Sequence, residues 1–441
     1  MMPPHAARLL VWCLALVPLL AFLLGLGSPD FANAAAVLNM LGRLTGVLGL
    51  AFLLLAAALS ARVPGFDQPF GGLTKLWNTH HLLGAASLML LLAHPLLLSL
   101  AAAGYGQHLA VATLFPPLSD HATWIGWLAL VLMMIFLAPS FSFFGHPKYE
   151  RWKRVHSLAG LVVILALVHT VMFSRTMPAG LDIIVWSLFA LLAVGAVAWR
   201  FIFSRRAGRL THTVTKVEQV ANNVVELTLE PRNRTLAYQA GNFVYMTPHD
   251  PELSAGRGEE HPYTLSSSPL EASPRIAIKD LGDASRAIQS IRVGTTVSLE
   301  GPYGRFFPTD GRRKDPELWV AGGIGITPFL ARMRHIKALD HNGGLGGDIH
   351  MIYAVQDEAR ALYAAELEQL AAEIPGFGLT FHFFYREGPI SPDFLHQTCP
   401  DFQQRAIYIC GPLPLNHLVQ NHLREAGVSQ ARIHTEEFEL L

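Results

Sequence analysis

Residues 79–95 read THHLLGAASLMLLLAHP: an apolar run with His80 and His81 at one end and His94 at the other. Ionisable side chains inside a membrane span are costly and are usually retained for function. Residues 155–170, VHSLAGLVVILALVHT, repeat the arrangement with His156 and His169. Both copies begin H-x-x-x-G, from His80 to Gly84 and from His156 to Gly160.

Working outward, the chain has 441 residues, 51% hydrophobic and only 15% charged, with zero formal net charge. Nothing in that balance suggests a nucleic-acid partner. Residues 1–204 are nearly all apolar, and the remainder has ordinary soluble composition. The boundary is marked by Arg205, Arg206 and Arg209. A membrane-crossing helix needs about 20 apolar residues, and six segments qualify: 8–27, 37–61, 79–103, 121–144, 153–176 and 181–203. Lys and Arg set orientation by gathering on the cytoplasmic side. Lys148, Arg151, Lys153 and Arg154 lie between spans four and five, and Arg62 and Lys75 between spans two and three. The opposite loops SPDFANAAA and GYGQHLAVATLFPPLSD have none. Both termini and the soluble half are therefore expected in the cytoplasm, with the spans in the plasma (inner) membrane. Residues 1–36 also fit a cleavable signal, which would leave five spans. The cysteines, Cys13, Cys399 and Cys410, suggest neither a metal knuckle nor a disulfide framework.

On this topology spans three and five run parallel. His80 and His156 then share a cytoplasmic level, and His94 and His169 an outer level, about 20 Å apart at 1.5 Å per residue. Two imidazoles facing each other at each level suit two b-type haems with histidine on both axial positions. Zinc fits poorly, because each level offers only two nitrogens. Helical phase is imperfect. Fourteen steps from His80 to His94 fall about 40° short of whole turns, and thirteen from His156 to His169 about 140° short. The second pair needs tilt or a local irregularity. His80 is preferred to His81 for its phase and its H-x-x-x-G repeat. In GRLTG, residues 42–46, Arg43 lies in the outer part of span two. It is either a partner for haem propionates or a side chain snorkelling to the headgroups.

From residue 207, alternating strands such as THTVTKV, NVVELTLE and NFVYMTP predict a small antiparallel barrel. HPYTLSSSP at 261–269 and RIAIKDLGDASRAI at 275–288 follow. From 317, strand, glycine turn, helix and strand form a βαβ unit and imply a parallel sheet. Gly322, Gly323 and Gly325 follow the first strand directly, Thr327 can cap the helix, and Pro328 suits its first turn. Bare amides at such a helix start bind a pyrophosphate.

The order barrel, H-P-Y-T, G-x-x-S, G-G-I-G-I-T-P, C-G-P and C-terminal aromatic resembles the ferredoxin–NADP reductase module. Behind a six-span, four-histidine domain, it resembles the ferric reductase and NADPH oxidase family over nearly the whole chain. The resemblance implies an all-α transmembrane haem domain (1–206), a β-barrel FAD domain (207–313) and an α/β NAD(P) domain (314–441). It implies that Tyr263 and Thr264 contact the flavin, with His261 and Pro262 standing where other reductases often have Arg-x. Lys279, Gly282 and Ser285 would reach the FAD pyrophosphate. Gly322, Gly323, Gly325, Thr327, Pro328 and Gly411 would hold the nicotinamide dinucleotide. Cys410 would sit beside the nicotinamide and Phe438 over the flavin.

The expected activity is electron transfer from cytoplasmic NAD(P)H through FAD and two b-type haems to an outer acceptor. A further histidine that superoxide-producing relatives carry one turn beyond the outer ligand is replaced by Leu98. That favours a ferric chelate over O2. The alternatives are a superoxide-producing oxidase and a non-enzymatic haem-handling membrane protein with a regulatory nucleotide domain. The expected partners are the bilayer, NAD(P)H and the external acceptor, with no obligate protein partner. Coenzyme choice should be weak, since Gln356 and Asp357 stand where a 2′-phosphate needs a cation, and Arg360 lies a turn later.

Overall fold

The computed structural model describes residues 4–141, 149–173, 177, 178, 180–204, 208–307, 316–339 and 348–436. The chain divides into two compact units, residues 1–206 and 207–441.

In the first unit every described regular element is helical: α1 (Pro4–Leu23), α2 (Ala34–Leu59), α3 (Leu73–Ala103), α4 (Gln107–Leu114), α5 (His121–Leu137), α6 (Tyr149–His156), α7 (Ala159–Met172) and α8 (Leu181–Ala198), with short 3-10 and π turns between. Six stretches are long and apolar enough to span a bilayer, Glu150–Met172 being the fifth. Leu9, Leu96, Val171, Ile183 and Leu191 are exposed on the bundle surface, as a lipid-facing surface requires. Asn33 caps α2 by accepting from the Ala36 amide, and Asp120 caps α5 through Thr123. Helix α4 was not expected from the sequence, where residues 104–120 read as loop. It is tied to α3 by the Ser99 hydroxyl, which donates to Ala110 O at 3.0 Å.

Helices α2 and α3 pack closely because glycines face them. A Cβ built on Gly42, Gly46 or Gly49 would lie 2.7–2.8 Å from Leu98, His94 or Leu91 respectively. Small residues at such spacing let backbones approach where water offers no hydrophobic drive. The fifth span is broken between α6 and α7, directly after His156. Leu158 and Gly160 donate to carbonyls only three residues back, Val155 O and Ser157 O. Such a turn advances about 120° per residue instead of 100°. At about 20° gained per residue, this turn closes part of the phase gap that the thirteen-residue spacing leaves.

The second unit holds two sheets. The first contains β1 (Arg209–Ala221), β2 (Val224–Pro231), β3 (Phe243–Pro248), β4 (His261–Thr264), β5 (Arg275–Lys279) and β6 (Thr296–Tyr303). They are paired antiparallel in the order β4-β3-β6-β1-β2-β5. The expected barrel is not closed. Between the edges the described residues show the bridge Leu265–Ile276, the Ser266 amide on Arg275 O and the Arg275 amide on the Ser267 hydroxyl, but no strand ladder. The physical reason is that β4 is four residues long and turns away through three buried serines, Ser266–Ser268. Helix α9 (Asp283–Ile288) follows β5.

The second sheet is parallel: β7 (Glu317–Gly322), β8 (Ile349–Val355), β9 (Phe377–Phe383), β10 (Ala406–Cys410) and β11 (Ile433–Glu436), in the order β11-β10-β7-β8-β9. Helices α10 (Thr327–Leu339), α11 (Ala364–Glu373) and α12 (Leu413–Glu425) accompany it. The chain leaves β7 toward β8 and returns to lay β10 on the other side. The crevice at the carboxyl ends of β7 and β10 is thus the switch point where open α/β sheets bind ligands. The two sheets are joined through Glu226 of β2, which is 3% exposed. It meets the guanidinium groups of Arg334 and Arg275 at 3.3 Å and accepts from Ser266 and Tyr363 hydroxyls at 2.6 and 2.9 Å. Arg334 continues to Glu366 at 2.6 Å.

Candidate functional site

Four of the histidines in the membrane unit form two pairs. The rings of His94 and His169 have centroids 6.4 Å apart, and those of His80 and His156 6.3 Å. Nδ1 of His80 donates to Ala56 O at 2.7 Å, that of His94 to Gly42 O at 2.7 Å, and that of His169 to Ala122 O at 2.8 Å. A carbonyl only accepts, so each of these Nδ1 atoms carries the proton, and Nε2 keeps its lone pair. His156 is held instead by rings, Trp152 at 4.8 Å and Phe136 at 5.2 Å. His81 lies beside His80 at 5.6 Å. A cavity of about 460 Å³ is lined by His94, His169 and Arg43 together with Leu50, Trp127 and Phe173. Leu98, on the same cavity wall, offers no polar group there. Arg43 is also ion-paired with Asp30 and accompanied by Asn39, whose Oδ1 accepts from Nε at 3.1 Å. Asp30 escaped the sequence reading because the loop before α2 carries no periodic signal. No cluster of three or more His, Cys, Asp or Glu suited to a metal ion occurs among the described residues.

In the second unit, His261, Pro262, Tyr263 and Thr264 form β4, against Met246, Tyr245, Val244 and Phe243 of β3. Burial holds the Tyr263 phenol above its ordinary pKa. His261 Nε2 lies 3.3 Å from Glu259. Gly282 precedes α9, and the Ser285 hydroxyl accepts from the Leu281 and Gly282 amides, both at 2.9 Å. Ser285 thereby shapes its own loop. Lys279 ends β5, and its ammonium lies 4.0 Å from where a Gly323 Cβ would stand. The structure so brings Lys279 to the glycine turn.

That turn is tight. A Cβ on Gly322 would meet Leu415 at 2.4 Å, one on Gly325 would meet Cys410 O at 2.3 Å, and one on Gly411 would meet Gly322 Cα at 3.0 Å. Gly323 has φ +54°, open to glycine at little cost. Tyr353, unnoticed in the sequence, donates its hydroxyl to Gly323 O at 3.0 Å. Thr327 does not cap in the expected way. A 3-10 turn, Gly323–Ile326, already winds ahead of it, and its hydroxyl donates back to Ile324 O at 3.0 Å. Pro328 occupies the first turn of α10 as expected. Cys410 ends β10, fully buried between Ala321 of β7 and Glu436 of β11. Burial, then the Glu436 carboxylate, push its thiol well above the usual range, so it is a protonated thiol at neutral pH. Phe438 lies outside the described residues.

Three family profiles match the chain in order. They are a ferric reductase like transmembrane component over residues 45–167, an FAD-binding domain over 209–306 and an oxidoreductase NAD-binding domain over 319–421. The chain is 28% identical over 242 residues to the toluate 1,2-dioxygenase electron transfer component of Pseudomonas putida, covering 51% of this chain and 66% of that one. It is 26% identical over 208 residues to an NADPH oxidoreductase of Mycobacterium tuberculosis, covering 46% and 52%. The chain spans about half to two thirds of the length of the curated relatives it matches. Among solved structures, the flavohaem-like FAD/NAD-binding domain of nitric oxide dioxygenase from Vibrio cholerae aligns at 25% identity with TM-score 0.45, covering 52% of this chain and 97% of that one. A ferric reductase like transmembrane component followed by FAD- and NAD-binding oxidoreductase domains gives the chain an architecture of the ferric reductase and NADPH oxidase type.

Proposed function

We propose that the protein passes electrons from cytoplasmic NAD(P)H through FAD and two b-type haems to a ferric chelate outside. The observation that carries the haem assignment is the pairing of imidazoles at two levels. Two imidazoles on one metal, with bonds of about 2 Å, have ring centres about 6 Å apart. The 6.3 and 6.4 Å separations fit that spacing. Committing Nδ1 to a carbonyl fixes the tautomer a metal ligand needs. His80 and His156 would hold the inner haem, and His94 and His169 the outer one. Arg43 lines the outer cavity and is suited to a propionate.

FAD takes a hydride as two electrons and releases them singly, which is what a haem can carry. The residues act around that chemistry. The glycine turn and Lys279 are suited to the dinucleotide phosphates, and α9 with Gly282 and Ser285 to the FAD pyrophosphate. Tyr263 and Thr264 border the flavin ring in this reading, and Phe438 covers it until nicotinamide arrives. Cys410, neutral and dry, flanks the nicotinamide without taking charge. With the cytoplasmic side of the membrane negative, an electron passing outward moves down the potential, which favours the transfer by about 2.3 kcal/mol per 100 mV.

Leu98 supports the ferric chelate over O2, because no polar side chain stands there to steady a developing superoxide. The full chain in detergent, given NADH or NADPH, should carry two haems and reduce a ferric chelate faster than it makes superoxide. Superoxide accounting for most of the electrons would overturn the acceptor assignment. His94→Ala or His169→Ala should each remove about half of the haem and abolish transfer to the outer acceptor. Both haems surviving either change would overturn the ligand assignment.

A further inference from the structure

The two outer histidines are seated in the same way on two different helices. Nδ1 of His94 donates to Gly42 O of α2, and Nδ1 of His169 to Ala122 O at the start of α5. Four residues beyond each carbonyl stands a glycine, Gly46 and Gly126. A Cβ on Gly46 would be 2.7 Å from Nδ1 of His94, and one on Gly126 2.6 Å from Nδ1 of His169. Helix geometry explains the coincidence. The carbonyl of residue i accepts the amide of residue i+4, and each Cα–Cβ bond tilts back toward the helix N-terminus. A side chain at i+4 therefore shields the second lone pair of that carbonyl. Glycine at i+4 leaves that side of the carbonyl clear, and an imidazole occupies the vacated space; at Gly42 O the His94 Nδ1–H shares the carbonyl with the Thr45 hydroxyl, which donates to it at 2.8 Å.

The inner pair lacks this device. His80 uses Ala56 O, near the end of α2, where Ser60 already closes the helix. Carbonyls in a last turn are accessible without glycine. His156 makes no full hydrogen bond through its buried Nδ1, and the carbonyl that acts on it is that of Phe136, in the last turn of α5, again without a glycine.

We propose that Gly46 and Gly126 are positioning residues of the outer haem site. Each opens a backbone carbonyl that orients one axial imidazole, fixes its tautomer and raises its basicity. This rests on reading His94 and His169 as ligands, and the experiment separates the two claims. Gly46→Ala and Gly126→Ala are compared in the full-length protein with Gly49→Ala, whose Cβ would press Leu91 instead, and Gly195→Ala, which meets nothing within 4 Å. Glycine to alanine inside a helix favours the helix by itself, so loss of helicity cannot account for a defect.

Haem per chain and the low-spin electron paramagnetic resonance signals are the readouts. Gly46→Ala and Gly126→Ala should each lose the outer signal or shift it, with the inner signal unchanged. The two controls should keep both. Both signals unmoved in Gly46→Ala, or equal loss in Gly49→Ala, would overturn the proposal. Both haems persisting in His94→Ala would sink the ligand reading beneath it. Should the alanine variants not accumulate, His94→Gly supplied with imidazole or 1-methylimidazole tests the carbonyl directly. Imidazole can donate to Gly42 O and should restore the outer signal at about five-fold lower concentration, the worth of one ordinary hydrogen bond. Equal potency of the two would overturn the proposal.

Discussion

The two units orient their working side chains by different means. In the membrane unit, histidines are aimed by neutral hydrogen bonds to backbone carbonyls, at Ala56, Gly42 and Ala122. In the second unit, the two sheets are locked by a buried charge network around Glu226, with Arg334, Arg275 and Glu366. The difference follows from the solvent. An unpaired charge in hydrocarbon is expensive, and a carbonyl already bonded within its helix can accept again without introducing one. Beside water, a carboxylate and two guanidinium groups can be desolvated together, provided each finds partners. The first device needs small residues at fixed offsets. The second needs the complete set of charges.

The largest expected effect breaks the membrane side of this comparison. The His80 ring pairs with that of His156 and its Nδ1 holds Ala56 O, whereas the ring contact recorded for His81 is with His80. His80→Ala should remove the inner haem and abolish electron passage to the outer acceptor. His81→Ala should keep both haems and lose activity by less than about tenfold, or 1.4 kcal/mol. Optical spectra of the two variants decide the matter, and loss of a haem in His81→Ala alone would exchange their roles.

Glu226 probes the other side of the comparison, the second unit. Removing one member of a buried ionic set typically costs about 3–5 kcal/mol. Glu226→Gln should therefore lower the melting temperature of the second unit, followed in the full chain by release of FAD fluorescence, and leave the haem spectra untouched. An unchanged melting temperature would show that the network contributes specificity only. The same carboxylate sets a pH dependence. Burial opposes its charge, but Arg334, the Ser266 hydroxyl, Arg275 and the Tyr363 hydroxyl outweigh that and hold its pKa below 4.5. A group with a depressed folded-state pKa contributes stability fully above its unfolded value and loses it as pH falls through the folded value. Stability should thus decline below about pH 4.5, with a shallower decline in Glu226→Gln.

These two devices also explain what the sequence disclosed. Spans and histidine pairs were legible because apolar runs and a repeated H-x-x-x-G survive in one dimension. The break after His156 could be inferred only as a phase error, since the tighter turn at Ser157–Leu158 has no residue signature of its own. Gly46 stood within the quoted GRLTG, but its meaning lies in a contact with His94 on another helix. Gly126 had no such flag. The glycine turn after β7 was legible from its place between strand and helix. The barrel was overextended, because alternation predicts strands and says nothing of whether the last two edges meet. The Glu226 network was not foreseen, since its members lie up to 140 residues apart (226 to 366) and carry no local pattern.

The smallest expected effect lies where charge pairs reach the surface. Asp357, just beyond β8, accepts from the Arg360 amide at 3.2 Å and is ion-paired with the Arg360 guanidinium. Arg386, beyond β9, lies between Glu358 at 2.8 Å and Glu387 at 3.1 Å. Both guanidinium groups near the end of β8 are thus matched by carboxylates. A 2′-phosphate arriving there would have to displace an ion pair, and it would meet the Asp357 carboxylate besides. NADH and NADPH should therefore differ by less than about tenfold, or 1.4 kcal/mol. Surface pairs are individually weak, so this balance is easily tipped. Asp357→Ser keeps a side chain able to cap the turn and frees Arg360 for a phosphate. It should shift the ratio of kcat/KM values toward NADPH by about tenfold, with flavin content and both haem spectra unchanged. A ratio that does not move would place the 2′-phosphate site away from Arg360. An equal gain in Glu358→Gln would assign it to Arg386, the one other guanidinium whose partner that change removes.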